Sequence, residues 1–238
     1  MLTDAQLQQI MPNLAAAKRA LYLPHLNAAL RAHGIDTALR TAAFVAQLAH
    51  ESGEFRWMEE IWGPTDAQRR YEPPSDLAAR LGNTEAGDGK RFKGRGPIQI
   101  TGRFNYRTYG ELLGIDLAAD PAKAATPEVA FATAGLYWQR NGLNELADAR
   151  QFVTITKRIN GGTNGLADRQ MYYARALAVL VAPAPRGMPL PRGHEAIVAA
   201  SKATKKPAAK KTVAKRAASA KTSAAKAATK KAATRRKA

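Results

Sequence analysis

The sequence predicts a mainly α protein. Apolar residues recur at helical spacing in segment after segment, as in Leu39, Ala43, Phe44, Val45 and Leu48. Capping residues stand where those segments begin. Strand signals are weak: Ile98-Gln99-Ile100 is too short to build a sheet.

Thr3 and Gln6 form a capping box over a first helix, Asp4 to Met11. Leu14 to Ala32 has helical periodicity, with Pro24 expected to kink or split it. His33-Gly34 is a stop, and Asp36 or Thr37 caps a helix running to about Glu51. From Gly53 to Gly96 the pattern breaks down into prolines, glycines and charge. A loop that long in a compact domain is usually functional, and short helices are expected in it at 65–71 and 75–81. Helical signals return at 103–113, 126–141, 149–159 and 166–181. Residues 1–182 therefore read as one helical domain. The Pro-rich stretch at 183–200 reads as a semi-rigid linker. Residues 201–238 are a Lys/Ala-rich tail of low complexity, too poor in large apolar groups to bury a core and expected to be disordered alone.

The 238 residues include no cysteine, which excludes disulfides and thiolate metal sites. The four histidines lack ligand spacing, so no metal and no cofactor is expected. The net charge of +18 is mostly local. Residues 201–238 hold 14 Lys/Arg and no acid, whereas residues 1–200 hold 23 basic and 19 acidic residues. No apolar run approaches the roughly 20 residues of a membrane span. The N-terminus lacks the basic and apolar regions of a signal peptide, so synthesis in the cytoplasm is expected, with delivery by some other agent.

"AHESGEF", Ala49–Phe55, places His50 and Glu51 at the last turn of an apolar helix, beside the long loop. A carboxyl there can serve as a general acid, and a second acidic group would complete the two-carboxylate scheme of glycoside hydrolysis. The loop offers Glu54, Glu59, Glu60, Asp66, Glu72, Asp76, Glu85 and Asp88, among which spacing alone does not choose. The plain alternative for Glu51 is a solvated helix-end charge. "GKRFKGRGPIQITGRFNY", Gly89–Tyr106, combines glycines that permit close backbone approach with Gln99, Thr101 and Asn105, which can hold sugar hydroxyls or a water. It also reads as a polar turn entering a helix. "KRINGGTNGLADRQ", Lys157–Gln170, contains a tight turn that could be a bare connector.

Taken together, AHESGEF, GRGPIQITGRFNY and RINGG followed by ADRQ resemble the catalytic domain of glycoside hydrolase family 19 over about residues 1–182. The family includes chitinases and phage endolysins, and the likeness is nearest to its compact bacterial and phage branch. The resemblance implies a lysozyme-like, two-lobed helical fold with a catalytic cleft. It implies an inverting hydrolysis of β-1,4 bonds in N-acetylglucosamine-containing glycan. Glu51 then matches the general acid, and Glu72 is taken as the base. Thr101 matches the residue that helps hold the nucleophilic water. Gln99 and Asn105 match sugar-contacting positions, Asn160 the N-G-G asparagine, and Arg169 the arginine of a polar network. His50 and Tyr71 join the substrate-binding set; His50 reads equally as a packed helix residue and Tyr71 as core. Plant-type members carry an acid soon after N-G-G where Asn164 stands here, so the network must be wired differently.

The expected partners are a cell-wall glycan, peptidoglycan or chitin, and a polyanion bound by residues 201–238. That polyanion is nucleic acid or an anionic envelope polymer. A tail without aromatics would bind nucleic acid blind to sequence. A monomeric lysin acting at the wall after holin-type or other release is the expected whole. The alternative is a non-catalytic glycan- or polyanion-binding protein on a lysozyme-like scaffold.

Overall fold

The Thr3 hydroxyl accepts from Gln6 N while Thr3 N donates to the Gln6 side chain, and this capping box starts α1 (Asp4–Ile10). The computed structural model describes residues 1–181; the linker and tail assigned to 183–238 lie outside the described residues. α2 (Ala16–Ala32) runs unbroken through Pro24 rather than splitting there. The proline removes one intrahelical bond, but the buried face of Tyr22, Leu26, Ala29 and Leu30 holds the helix against α8 (Pro127–Arg140).

α3 (Ala38–Ser52) is the axis of the molecule. Its nine residues from Thr41 to Ala49 are all buried, so the helix is enclosed on every side rather than along one stripe. Its principal neighbour is α11 (Leu166–Leu180), and α9 (Leu143–Asp148) also packs on it. α1 closes the far side of α11.

α3 ends in an unusual way. Gly53, Glu54 and Phe55 all adopt positive φ, at 58°, 57° and 59°. Left-handed backbone costs a non-glycine residue roughly 1–2 kcal/mol. Packing and hydrogen bonds offset that cost. The Glu54 carboxylate accepts from Asn13 N at 2.7 Å, Asn13 Nδ2 at 2.9 Å and the Tyr172 hydroxyl at 2.8 Å. Burial and that contact push the Tyr172 phenol well above its ordinary value. The Phe55 ring makes edge contacts with Tyr22 and Phe131, at 5.9 and 5.1 Å between centroids.

The long loop is better organised than its sequence suggests. It contains α4 (Asp66–Arg69), α5 (Asp76–Leu81) and α6 (Asp88–Arg91), the last not anticipated. Tyr71, Leu77, Leu81 and Trp62 form a small apolar cluster separate from the main core, which makes this region a second lobe. Among the described residues there is no extended strand, only two isolated antiparallel bridges, Glu59 with Arg95 and Arg95 with Ile100. α7 (Arg103–Leu113) returns the chain to the main body. A 3₁₀ turn at Pro121–Ala125 precedes α8. α10 (Phe152–Asn160) starts three residues later than expected, because Arg150 takes φ +57° and breaks the helical path.

Phe55→Ala removes the aromatic anchor and leaves a cavity among Tyr22 and Phe131. A loss of about 3–5 kcal/mol in stability is expected by urea denaturation.

Candidate functional site

The site is built from the last turn of α3, the first turn of α11, and the loop segments at 57–60 and 94–101. His50 and Glu51 face Asp168 and Arg169 across the α3–α11 contact in two parallel bridges. Arg169 Nη2 lies 2.7 Å from Glu51 Oε1, with side chains 0% and 9% exposed. His50 Nδ1 lies 2.6 Å from Asp168 Oδ2, nearer the surface. The His50 ring also rests on Gly165, which begins α11 at φ +67°; a Cβ there would sit 2.2 Å from the ring, so only glycine fits. His50 is thus held by its partners, with Nδ1 committed to Asp168.

Arg169 is the centre of the buried polar network. Besides Glu51 it donates through Nη1 to Gln47 Oε1, and its Nε lies 3.4 Å from the Asn164 carbonyl. Gln47 passes the chain to Thr156 at 2.8 Å. Asn160 donates to the Asn164 carbonyl and accepts from Gly162 N, both at 2.8 Å, so its amide is engaged in the N-G-G turn. Asn164 enters the network through its backbone carbonyl, the different wiring that the absence of an acid at this position called for. Gln47 was missed in sequence; a lone amide inside an apolar run is the signal that marks it.

On the other side, the two bridges hold three segments together. Glu60 N donates to the Gly94 carbonyl at 2.8 Å and Gly96 N to Met58 O at 2.7 Å. Arg95 and Ile100 exchange backbone bonds at 3.1 and 3.0 Å. This ladder sets Glu60, Gln99 and Thr101 around the α-carbon of Gly94. A Cβ on Gly94 would lie 2.6 Å from Gln99 Oε1 and 3.3 Å from both Glu60 Oε2 and Thr101 Oγ1. Gln99 itself sits at φ +54°, with Nε2 donating to Gly96 O at 2.8 Å and lying 3.4 Å from Trp57 O. Asn105, in the first turn of α7, donates to the Thr101 carbonyl at 2.7 Å. Beneath the ladder, Arg95 reaches Glu59 at 2.9 Å and the Tyr106 hydroxyl at 2.7 Å. Burial alone would raise the Glu59 carboxyl; Lys93 and Arg95 outweigh it and hold it below the usual range.

Two expected residues stand elsewhere. Glu72 takes the Gly87 N–H at 2.9 Å and the Lys90 N–H at 3.2 Å, where it ties down the start of α6. Nothing brings it to Thr101. Tyr71 is 2% exposed and packed against Trp62, so it offers no open face to a sugar. Burial and the neighbouring Glu60 carboxylate push its phenol well above its ordinary value.

Comparisons with known proteins place the chain in a family. The family model described as chitinase class I, glycoside hydrolase family 19, matches residues 25–175. The chain is 32% identical to a glycosyl hydrolase family 19 domain-containing protein of Haemophilus influenzae, over 75% of this chain and 96% of that one. It is 42% identical to an endochitinase of Arabidopsis thaliana over 51% of this chain, but spans only 39% of that protein's length. A solved bacterial family 19 chitinase shares the fold with a TM-score of 0.59, at 24% identity, over 77% of this chain and 97% of that one. The protein is a glycoside hydrolase with a mainly helical, lysozyme-like domain. Within that class, the chain belongs to glycoside hydrolase family 19.

The floor of the second lobe carries its own pH dependence. Burial would raise the Asp88 carboxyl, but Arg103 and the N–H groups of Glu85 and Thr84 hold it below the ordinary value. A depressed folded-state pKa stabilises the fold above the unfolded value of about 3.9 and stops doing so as pH falls through the folded one. Asp88→Asn is therefore expected to lower the urea midpoint at pH 7, with the gap to wild type closing as pH falls below about 4.

Proposed function

We propose that the protein hydrolyses β-1,4 bonds of N-acetylglucosamine-containing cell-wall glycan, chitin-type chains or peptidoglycan, with inversion at the anomeric carbon. Glu51 acts as general acid and Glu60 as general base. The observation that carries this is the pairing of roles with surroundings. One carboxylate ends the central helix against a buried arginine; a second, nine residues on, shares the Gly94 contact with Thr101.

The chemistry follows from those contacts. Protonated Glu51 gives its proton to the glycosidic oxygen as the bond to the leaving sugar breaks. The Thr101 hydroxyl lies 3.1 Å from the Gln99 carbonyl and donates to it, which turns its oxygen lone pairs outward as acceptors. A water that donates one hydrogen to Thr101 and the other to Glu60 is held and activated together. Its oxygen attacks the sugar face opposite the leaving group. Inverting enzymes leave roughly 6.5–9.5 Å between the two carboxyls for that water. Glu60 replaces Glu72 as base because Glu72 is spent on the backbone of α6. Gln99 and Asn105 support the Thr101 segment, and Trp57, 46% exposed beside Gly53, supplies an apolar face for a pyranose ring.

A wall substrate suits the rest of the sequence. The basic residues of 201–238 would hold the enzyme on an anionic envelope polymer by counterion release, at the surface where its glycan lies. Among the described residues no helix is long and apolar enough to cross a membrane. The reading is that of a lysin released to the wall.

Turbidity loss of purified peptidoglycan and cleavage of chitin oligomers test the reading side by side. Glu51→Gln and Glu60→Gln are each expected to lower the rate by at least about a hundredfold on the preferred glycan, and Glu72→Gln to keep most of it. Proton NMR of fresh product is expected to show the α-anomer first. No release from either glycan by the folded wild type refutes the hydrolase reading; a dead Glu72→Gln beside an active Glu60→Gln returns the base to Glu72.

A further inference from the structure

Gln68 is a buried amide with every end in use. It is 5% exposed, in a lobe whose apolar cluster is only a few residues large. Its Oε1 accepts from Thr65 N at 2.9 Å, the return half of the capping box that starts α4, and lies 3.5 Å from Gly63 N. Its Nε2 donates to the Ile61 carbonyl at 2.8 Å and to Glu60 Oε1 at 3.0 Å. Turning the amide over would set donor against donor at Thr65 and oxygen against oxygen at Ile61 and Glu60, so its orientation is fixed. One turn further on, the Tyr71 ring is anchored by Trp62, Leu77 and Leu81, and its phenol feels the charge of the same carboxylate. The Tyr71 carbonyl is gripped in turn by Asn83 Nδ2 at 2.8 Å, and Asn83 Oδ1 accepts from Arg103 N at 2.9 Å, where α7 begins.

We propose that Gln68 and Tyr71 are positioning residues for Glu60: they hold its carboxylate in one rotamer, aimed at the water that Thr101 binds. This rests on the reading of Glu60 as base. Gln68 Nε2 at 3.0 Å and the Gly94 N–H at 2.9 Å donate to the Glu60 carboxylate, one to each oxygen, and the Tyr71 phenol stands close enough to feel its charge. Neither residue touches substrate. Both act through Glu60, and the short helix α4 exists to present them: its first residue's cap is made by the same amide that holds the base.

Two variants separate positioning from plain folding. Gln68→Glu keeps an acceptor for Thr65 N but presents a carboxylate oxygen to Glu60 in place of an N–H. Tyr71→Phe keeps the ring in its cluster and removes only the hydroxyl. With a chitin oligomer or peptidoglycan, whichever wild type cleaves, Gln68→Glu is expected to lower kcat at least tenfold with KM within twofold. Its acid limb in the kcat–pH profile should move to higher pH, because a neighbouring negative charge makes Glu60 harder to ionise. Tyr71→Phe should lower kcat about threefold and shift the same limb in the same direction. Should Gln68→Glu fail to fold by circular dichroism, Tyr71→Phe decides alone. Wild-type kcat and an unmoved acid limb in the folded variants overturn the proposal. So does a fall in melting temperature and activity with the limb unmoved, which marks a structural role only. Glu60→Gln is measured alongside: if it stays active, the base reading itself has failed; if it is dead while both variants behave as wild type, only the positioning role has.

Discussion

The ion pair between Glu51 and Arg169 is the interaction on which the rest of the structure depends. It lies inside the contact between α3 and α11, and both side chains are nearly or fully out of water. A charge in that position is tolerable only with a partner held in place. The surrounding packing supplies that restraint: Gln47 from within α3, the Asn164 carbonyl from the turn before α11, and Thr156 behind Gln47. The apolar run that encloses α3 delivers Glu51 to the one point where the helix emerges from the core. The Glu51 carboxyl is thereby fixed on rigid elements.

The second carboxylate is placed by different means. Glu60 lies in a lobe with a small apolar core and no real sheet, and its position comes from polar bonds. A two-bridge ladder sets the backbone, Gly94 clears the space, and Gln68 and Tyr71 hold the head group. The two halves of the site therefore differ in how they resist disturbance. Glu51 is secured by burial and Glu60 by a hydrogen-bond network with few redundant contacts, which ties it to the integrity of short elements such as α4.

Legibility in the sequence follows the same division. The long helices are plain in apolar periodicity because each buries a face wide enough to set the pattern. Glu51, Thr101 and Arg169 sit at the ends of such elements, and motif strings reach them. Glu60 remains one of eight loop acids, since the pairing that singles it out involves three residues at 58–60 and three at 94–96, too few to leave an alternating pattern. Glu72 is at an inviting spacing, yet its partners are backbone N–H groups of Gly87 and Lys90, which no side-chain pattern reveals. Tyr71 shows the limit for aromatics: ring chemistry suits a sugar face and a core equally, and only the burial against Trp62 decides. The short helix at 65–71 is visible in sequence, but the reach of Gln68 to Glu60 depends on where that helix lies.

The three left-handed residues that follow α3 set the order in which the site can come together. Gly53, Glu54 and Phe55 hold that path only while Asn13 and Tyr172, 41 and 118 residues away in the chain, grip the Glu54 side chain and Phe131 backs the Phe55 ring. None of these contacts is local, so the nascent chain cannot keep the turn before α11 has been made and docked. Until then the segment joining Glu51 to Glu60 is free to take ordinary right-handed or extended conformations, and the two carboxylates have no fixed relation. Their spacing is therefore a late product of folding, complete only when nearly the whole helical domain is in place.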